Sequence, residues 1–149
     1  MKPFALVACL FLLPTAGLTA DFAVGDVVVA APYALPTTSV AMTGAGYFTV
    51  TNNGTTADTL LEVMADFPRV MMHDTTVSDG IATMTHMAEG IVVLAGETVT
   101  FALGGMHVMF MGLNGDPFEI GEEIPATLMF EKAGKLDITF TVTEAELKE

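Results

Sequence analysis

The sequence predicts an all-β fold, an antiparallel sandwich with Greek-key connections, and three observations lead to it. Two segments alternate apolar and polar residues with period two. In "GYFTVTN", Tyr47, Thr49 and Thr51 interleave with Phe48 and Val50; in "LDITFTV", Leu136, Ile138, Phe140 and Val142 interleave with Asp137, Thr139 and Thr141. Such alternation places one set of side chains in a core and the other in water. Turn-forming clusters recur between short apolar runs, and no long stretch carries a helical period.

Taken in order, residues 1–20 stand apart from the fold. "MKPFALVACLFLLPTAGLTA" has Lys2, then an apolar run from Phe4 to Leu13, then small residues up to Ala20. This is the layout of a secretory signal peptide, and the run is too short for a permanent membrane helix. Cleavage after Ala20 is expected, leaving residues 21–149 as one domain with no membrane insertion. "LVAC" faintly resembles a lipoprotein signal, but Cys9 stands too early, with the apolar segment after it. Beyond Ala20 the expected strands are "DVVVAAPYA", "GYFTVTN", "TLLEVMA", "RVMMHDTTV", "IVVL", "ETVTFAL", "ATLMFEKA" and "LDITFTV". "ALPTTSVAMTGAG" reads as an irregular connection. "NNGTT", "SDG", "AGE" and "LNGDP" read as turns, and "KAGK" as a hairpin loop.

Composition narrows the chemistry. Cys9 is the only cysteine, so the exported chain has no disulfide, no thiolate ligand and no cysteine nucleophile. Loss of Lys2 leaves four basic against eighteen acidic residues, a formal charge of −14. That charge repels phosphate backbones and anionic lipid, which disfavours nucleic acid and membrane surfaces as partners. No Ser-His-Asp or paired-carboxylate motif is evident, and the chain reads as a non-enzyme.

The chemistry gathers in two Met- and His-rich stretches. In "GGMHVMFMGL", His107 and Met109 are two apart on an expected strand and share a face, with Met111 one step further, while Met106, Val108 and Phe110 point inward. In "VMMHDTTVSDGIATMTHM", ten residues separate His73 from Met84, and a hairpin closed at "SDG" returns one strand beside the other. The two clusters can converge at one end of a sandwich. Thioethers are soft, neutral donors that select Cu(I), and imidazole accepts copper well. A blue-copper site needs a Cys thiolate, which is missing, and Met is a poor zinc ligand. Met71 and Met72 read as filling or rimming the site. His86 reads as an ordinary surface histidine, and Met42, Met64 and Met129 as core filling.

With those residues in view, the chain resembles the periplasmic copper chaperone family PCuAC, also known as DUF461. The family pattern is His, ten residues, Met, about twenty-one residues, then His-x-Met; His73, Met84, His107 and Met109 fill the four places, with twenty-two residues in the second interval. The first spacing selects Met84 over Met87. "GYFTVTNNG", "GGMHVMFMGL" and "GEEIPATLMFEKAGKLDITFTV" are similar to further family blocks, from about Val24 to Val142. The resemblance implies a cupredoxin-like β-sandwich with an exposed Cu(I) site. It also implies delivery of copper to the binuclear copper centre of cytochrome c oxidase, directly or through another copper chaperone. Some relatives carry a His- and Met-rich tail that captures Cu(II); this sequence ends in "TEAELKE", so no tail-borne site is expected. Two other readings fit the same residues: a periplasmic copper buffer or resistance protein, and a β-sandwich whose Met-rich patch binds proteins without metal.

Overall fold

Eleven strands follow one another, with no helix, through residues 21–144, the part of the chain described by the computed structural model. They are β1 (Phe22–Val24), β2 (Val27–Ala34), β3 (Thr43–Asn52), β4 (Asp58–Ala65), β5 (Arg69–Ser78) and β6 (Ile81–His86). After these come β7 (Ile91–Val93), β8 (Thr98–Thr100), β9 (His107–Met111), β10 (Glu123–Phe130) and β11 (Gly134–Val142). The expected signal segment lies outside the described residues.

The alternating segments behave as their period requires except at Tyr47, which is buried although it shares the parity of Thr49 and Thr51. Phe48 and Val50 of β3 are buried, as are Leu136, Ile138, Phe140 and Val142 of β11, while Thr49, Thr51 and Thr139 are only half-covered. The strands join in the order β6-β5-β9-β3-β2-β11-β10-β4-β7, with β1 on β2 and β8 on β3. This continuous ladder folds back on itself, so that β4 comes against β5, and apolar faces meet in one core. Phe110 of β9 sits in that core, with ring centroids 5.5 Å from Phe140 and 5.6 Å from Phe118. Gly46 of β3 makes room for these rings: a Cβ there would lie 2.9 Å from ring carbons of both Phe110 and Phe140. The fold is the cupredoxin-like β-sandwich that the resemblance implies.

Four expectations need correction. Pairing is antiparallel except between β2 and β11, which run parallel at Thr141–Tyr33 and Val142–Ala34, so the sheet is mixed. No hairpin ties these two strands, so no local turn dictates their direction. The expected strands "IVVL" and "ETVTFAL" are each cut to three residues and take different partners: β7 joins β4 and β8 joins β3, with the "AGE" turn carrying the chain across. Asn52 pins that crossing, its Nδ2 donating to the carbonyls of Val93 at 3.1 Å and Thr56 at 2.8 Å. The irregular connection ends earlier than expected, because Thr43–Gly46 already belong to β3. Finally, Met42 is 58% exposed, and Met64 and Met129 lie on the outer face, alternating with the buried Val63, Leu128 and Phe130. Strand parity decides this for Met64 and Met129, whereas Met42 lies in the connection just before β3.

Candidate metal centre

β5 and β9 are antiparallel neighbours, and their register aligns the two Met- and His-rich stretches. His73 stands opposite His107, Met71 opposite Met109 and Met72 opposite Val108. The parity expected for β9 holds. Val108 and Phe110 are fully buried on the core side, Met106 packs against the core, and His107, Met109 and Met111 share the other face. Met72 is core filling, at 4% exposure.

The "SDG" turn closes a two-residue hairpin. Ser78 pairs with Ile81, and Asp79 and Gly80 both take positive φ, 52° and 76°. That is the type I′ geometry favoured by Asp-Gly, because it matches the right-handed twist of the strands. Counting back from the turn, Thr75 faces Met84 and His73 faces His86. Met84 therefore lies two pairs along from His73, the next pair on the same face, rather than directly across from it. It is 50% exposed, on a strand whose residues are all exposed.

Met84, His107 and Met109 line one open depression of about 390 Å³, together with Ala45 and Tyr47 of β3. Ala45 is the residue opposite Met109, so a small side chain borders the sulfur. His73 adjoins His107, with ring centroids 5.8 Å apart. The structure thus brings Met84, His107 and Met109 to one concavity and sets His73 ring to ring against its histidine.

The two imidazoles differ in their hydrogen bonds. His107 is buried, and its Nδ1 lies 3.0 Å from the Gly105 carbonyl. Nδ1 donates there, which leaves the Nε2 lone pair free to bind a metal. His73 Nδ1 is the one buried side-chain polar atom among the described residues without a partner. An unsatisfied buried group of this kind costs about 1–3 kcal/mol. Burial pushes the His73 pKa below its ordinary value, and repulsion from His107 and then His86 pushes it the same way. The ring is kept neutral, the protonation state that coordinates a metal.

The sequence by itself makes His86 an ordinary surface histidine. It is exposed, but its ring centroid lies only 5.5 Å from that of His73. The signal was present: the two-residue turn fixes the register that pairs them. His86 opens onto a different groove, shared with Met71 and Met87, and Met87 packs against the core. Among the described residues, no three side chains drawn from His, Cys, Asp and Glu gather around one point. The three imidazoles form a row across β6, β5 and β9, not a closed triad.

The family of putative LpqE-like lipoproteins matches residues 23–142. The chain belongs to that family. Beyond the LpqE-like match, its fold is that of PCuAC domains. The copper-bound PCuAC domain from PmoF2 is 26% identical, with a TM-score of 0.70 over 85% of this chain and 99% of that one. The solution structure of CuI-DR1885 from Deinococcus radiodurans is 24% identical, with a TM-score of 0.63 over 89% of this chain and 85% of that one, a likeness of fold. A putative lipoprotein, Lxx21020, from Leifsonia xyli subsp. xyli is 33% identical over 75 residues, which make up 50% of this chain and 45% of that protein.

Proposed function

We propose that this LpqE-like protein is an exported Cu(I) carrier that holds the ion with His73, Met84, His107 and Met109 and passes it on by ligand exchange. The observation that carries this reading is a soft, neutral donor set beside an orphaned imidazole nitrogen, in a fold shared with a copper-bound domain. Thioethers and neutral imidazoles suit a monovalent d¹⁰ ion, and neither adds negative charge. Met84 suits the ligand role better than Met87, because Met84 shares the depression with His107 and Met109 while Met87 packs against the core.

The openness of the site suits transfer rather than storage. Met84 is half exposed on an edge strand, so an incoming thiolate or imidazole can approach as that sulfur leaves. Nothing in this chemistry requires a catalytic group, and the protein is a carrier, not an enzyme. The acceptor is the binuclear copper centre of cytochrome c oxidase, or a second copper chaperone that serves it. The family of putative lipoproteins supports export, and the signal segment directs the chain to the periplasm.

Titration of the protein with Cu(I) against a competing chelator tests the site: one tightly held ion is expected, and no binding overturns the reading. Loss of oxidase copper loading in a deletion strain supports delivery. Copper sensitivity with normal oxidase indicates a buffer instead. The mass of the exported protein is expected to show cleavage after Ala20; a lipidated Cys9 overturns that assignment.

A further inference from the structure

His73 has two imidazole neighbours at almost the same separation, and they differ in every other respect. His107, at 5.8 Å between ring centroids, is buried and borders the depression that holds the two sulfurs. His86, at 5.5 Å, is exposed and borders a separate groove.

The strand geometry favours the exposed pair as a chelate. The Thr75 N–H donates to the Gly105 carbonyl at 3.2 Å, so Thr75, and with it His73 at the same parity, turns its backbone groups toward β9. Toward β6, His73 and His86 are therefore a non-hydrogen-bonded antiparallel pair, whose Cα atoms lie about 4.5 Å apart and whose side chains come closer than in the alternate pairs. Two imidazoles on such a pair, their rings tilted by 53° and water able to reach one of them, present two nitrogen donors and open coordination positions. Met87 shares the groove but packs against the core, so the donors directly opposed are both nitrogens.

We infer that His73 and His86 form a second metal position, one that takes a borderline divalent ion, Cu(II) above all, with water completing its coordination. Nitrogen donors suit divalent copper, and among first-row divalent ions it binds such a site most tightly. The two positions overlap at His73. Resting on the Cu(I) reading above, this makes them mutually exclusive: the ion that takes the outer pair is displaced when Cu(I) fills the inner set. The strand row across β6, β5 and β9 then sorts copper by oxidation state, nitrogen-only outside and sulfur-rich inside.

Equilibrium competition with Cu(II), read by electron paramagnetic resonance, tests the outer position. The apo protein is expected to bind one Cu(II) with two nitrogen ligands. His86→Ala is expected to weaken Cu(II) binding at least tenfold and reduce the count to one nitrogen, with Cu(I) affinity within twofold of the parent. Circular dichroism of this exposed edge variant confirms that it is folded. Met109→Ala is expected to do the reverse, weakening Cu(I) and sparing Cu(II). Protein preloaded with Cu(I) is expected to take up no Cu(II) at this pair. Cu(II) binding unchanged in His86→Ala overturns the inference. Cu(I) affinity unchanged when His107 and Met109 are both replaced overturns the inner site and leaves the outer pair standing.

Discussion

The two ends of β3 bury polar groups in opposite ways. At the Asn52 end every such group has a partner. Asn52 Nδ2 serves two carbonyls, and the Asp58 carboxylate accepts from the backbone N–H groups of Thr59 at 2.8 Å and of Lys132 and Ala133 at 2.9 Å. At the other end, beside Ala45 and Tyr47, His107 is held by a single bond and His73 Nδ1 by none. The first end spends its polar atoms on joining strands. The second leaves donor atoms uncommitted, which is what a site that must bind and release an ion requires. Substitutions at the closed end should therefore change folding and spare copper, and those at the open end should do the opposite.

The sharpest way to break that contrast is at His73. His73→Leu removes the orphaned nitrogen, whose burial costs about 1–3 kcal/mol. The apo variant is expected to be at least as stable as the parent in urea unfolding while Cu(I) affinity falls a hundredfold or more by chelator competition. A marked loss of stability would show that His73 is structural. Joint replacement of His107 and Met109 by Ala should lower Cu(I) affinity by a similar factor.

At the closed end, Asp58→Asn keeps the shape but turns one acceptor oxygen into an amide donor facing a backbone N–H. A loss of about 1–3 kcal/mol in urea unfolding is expected, with Cu(I) affinity within twofold of the parent. The same carboxylate sets an acid limb. Burial by itself pushes its pKa up, but the N–H donors of Lys132, Ala133 and Thr59, with the Lys132 charge, more than offset this and hold it below the ordinary 3.8. As pH falls through 3.8, the unfolded chain takes up the proton first, so the Asp58 contribution is whole above that pH and is lost below it, down through the folded-state pKa. Unfolding measured against pH should show a shallower limb in Asp58→Asn.

Gly46→Ala tests the floor beneath the open end, where the added Cβ meets Phe110 and Phe140. Overpacking of this kind costs about 1–3 kcal/mol, and a lower thermal midpoint is expected. The smallest effects separate two methionines. Met84→Leu should weaken Cu(I) about tenfold with little change in stability, whereas Met87→Leu should leave Cu(I) affinity within twofold. Equal losses would assign a sulfur at the core edge to the site.

Much of this was legible in the residues themselves. Period two on "HVMFM" already sends His107 and Met109 one way and Val108 and Phe110 the other, because successive side chains on a strand must alternate. Asp79–Gly80 likewise carries the register of its own hairpin, since a two-residue turn leaves no slack, and the pairing of His86 with His73 followed from it unread. Tertiary structure decided what no local rule reaches. It set β5 against β9 across an intervening stretch that visits the opposite side of the sandwich, ran β2 parallel to β11, and divided β7 and β8 between partners. It also put Met64 and Met129 outside and Met72 inside. Steric alternation and turn geometry act within a few bonds and are written residue by residue. Which strands meet is a choice among distant segments, made by the burial of their shared apolar faces, and that choice alone brought the imidazoles into a row.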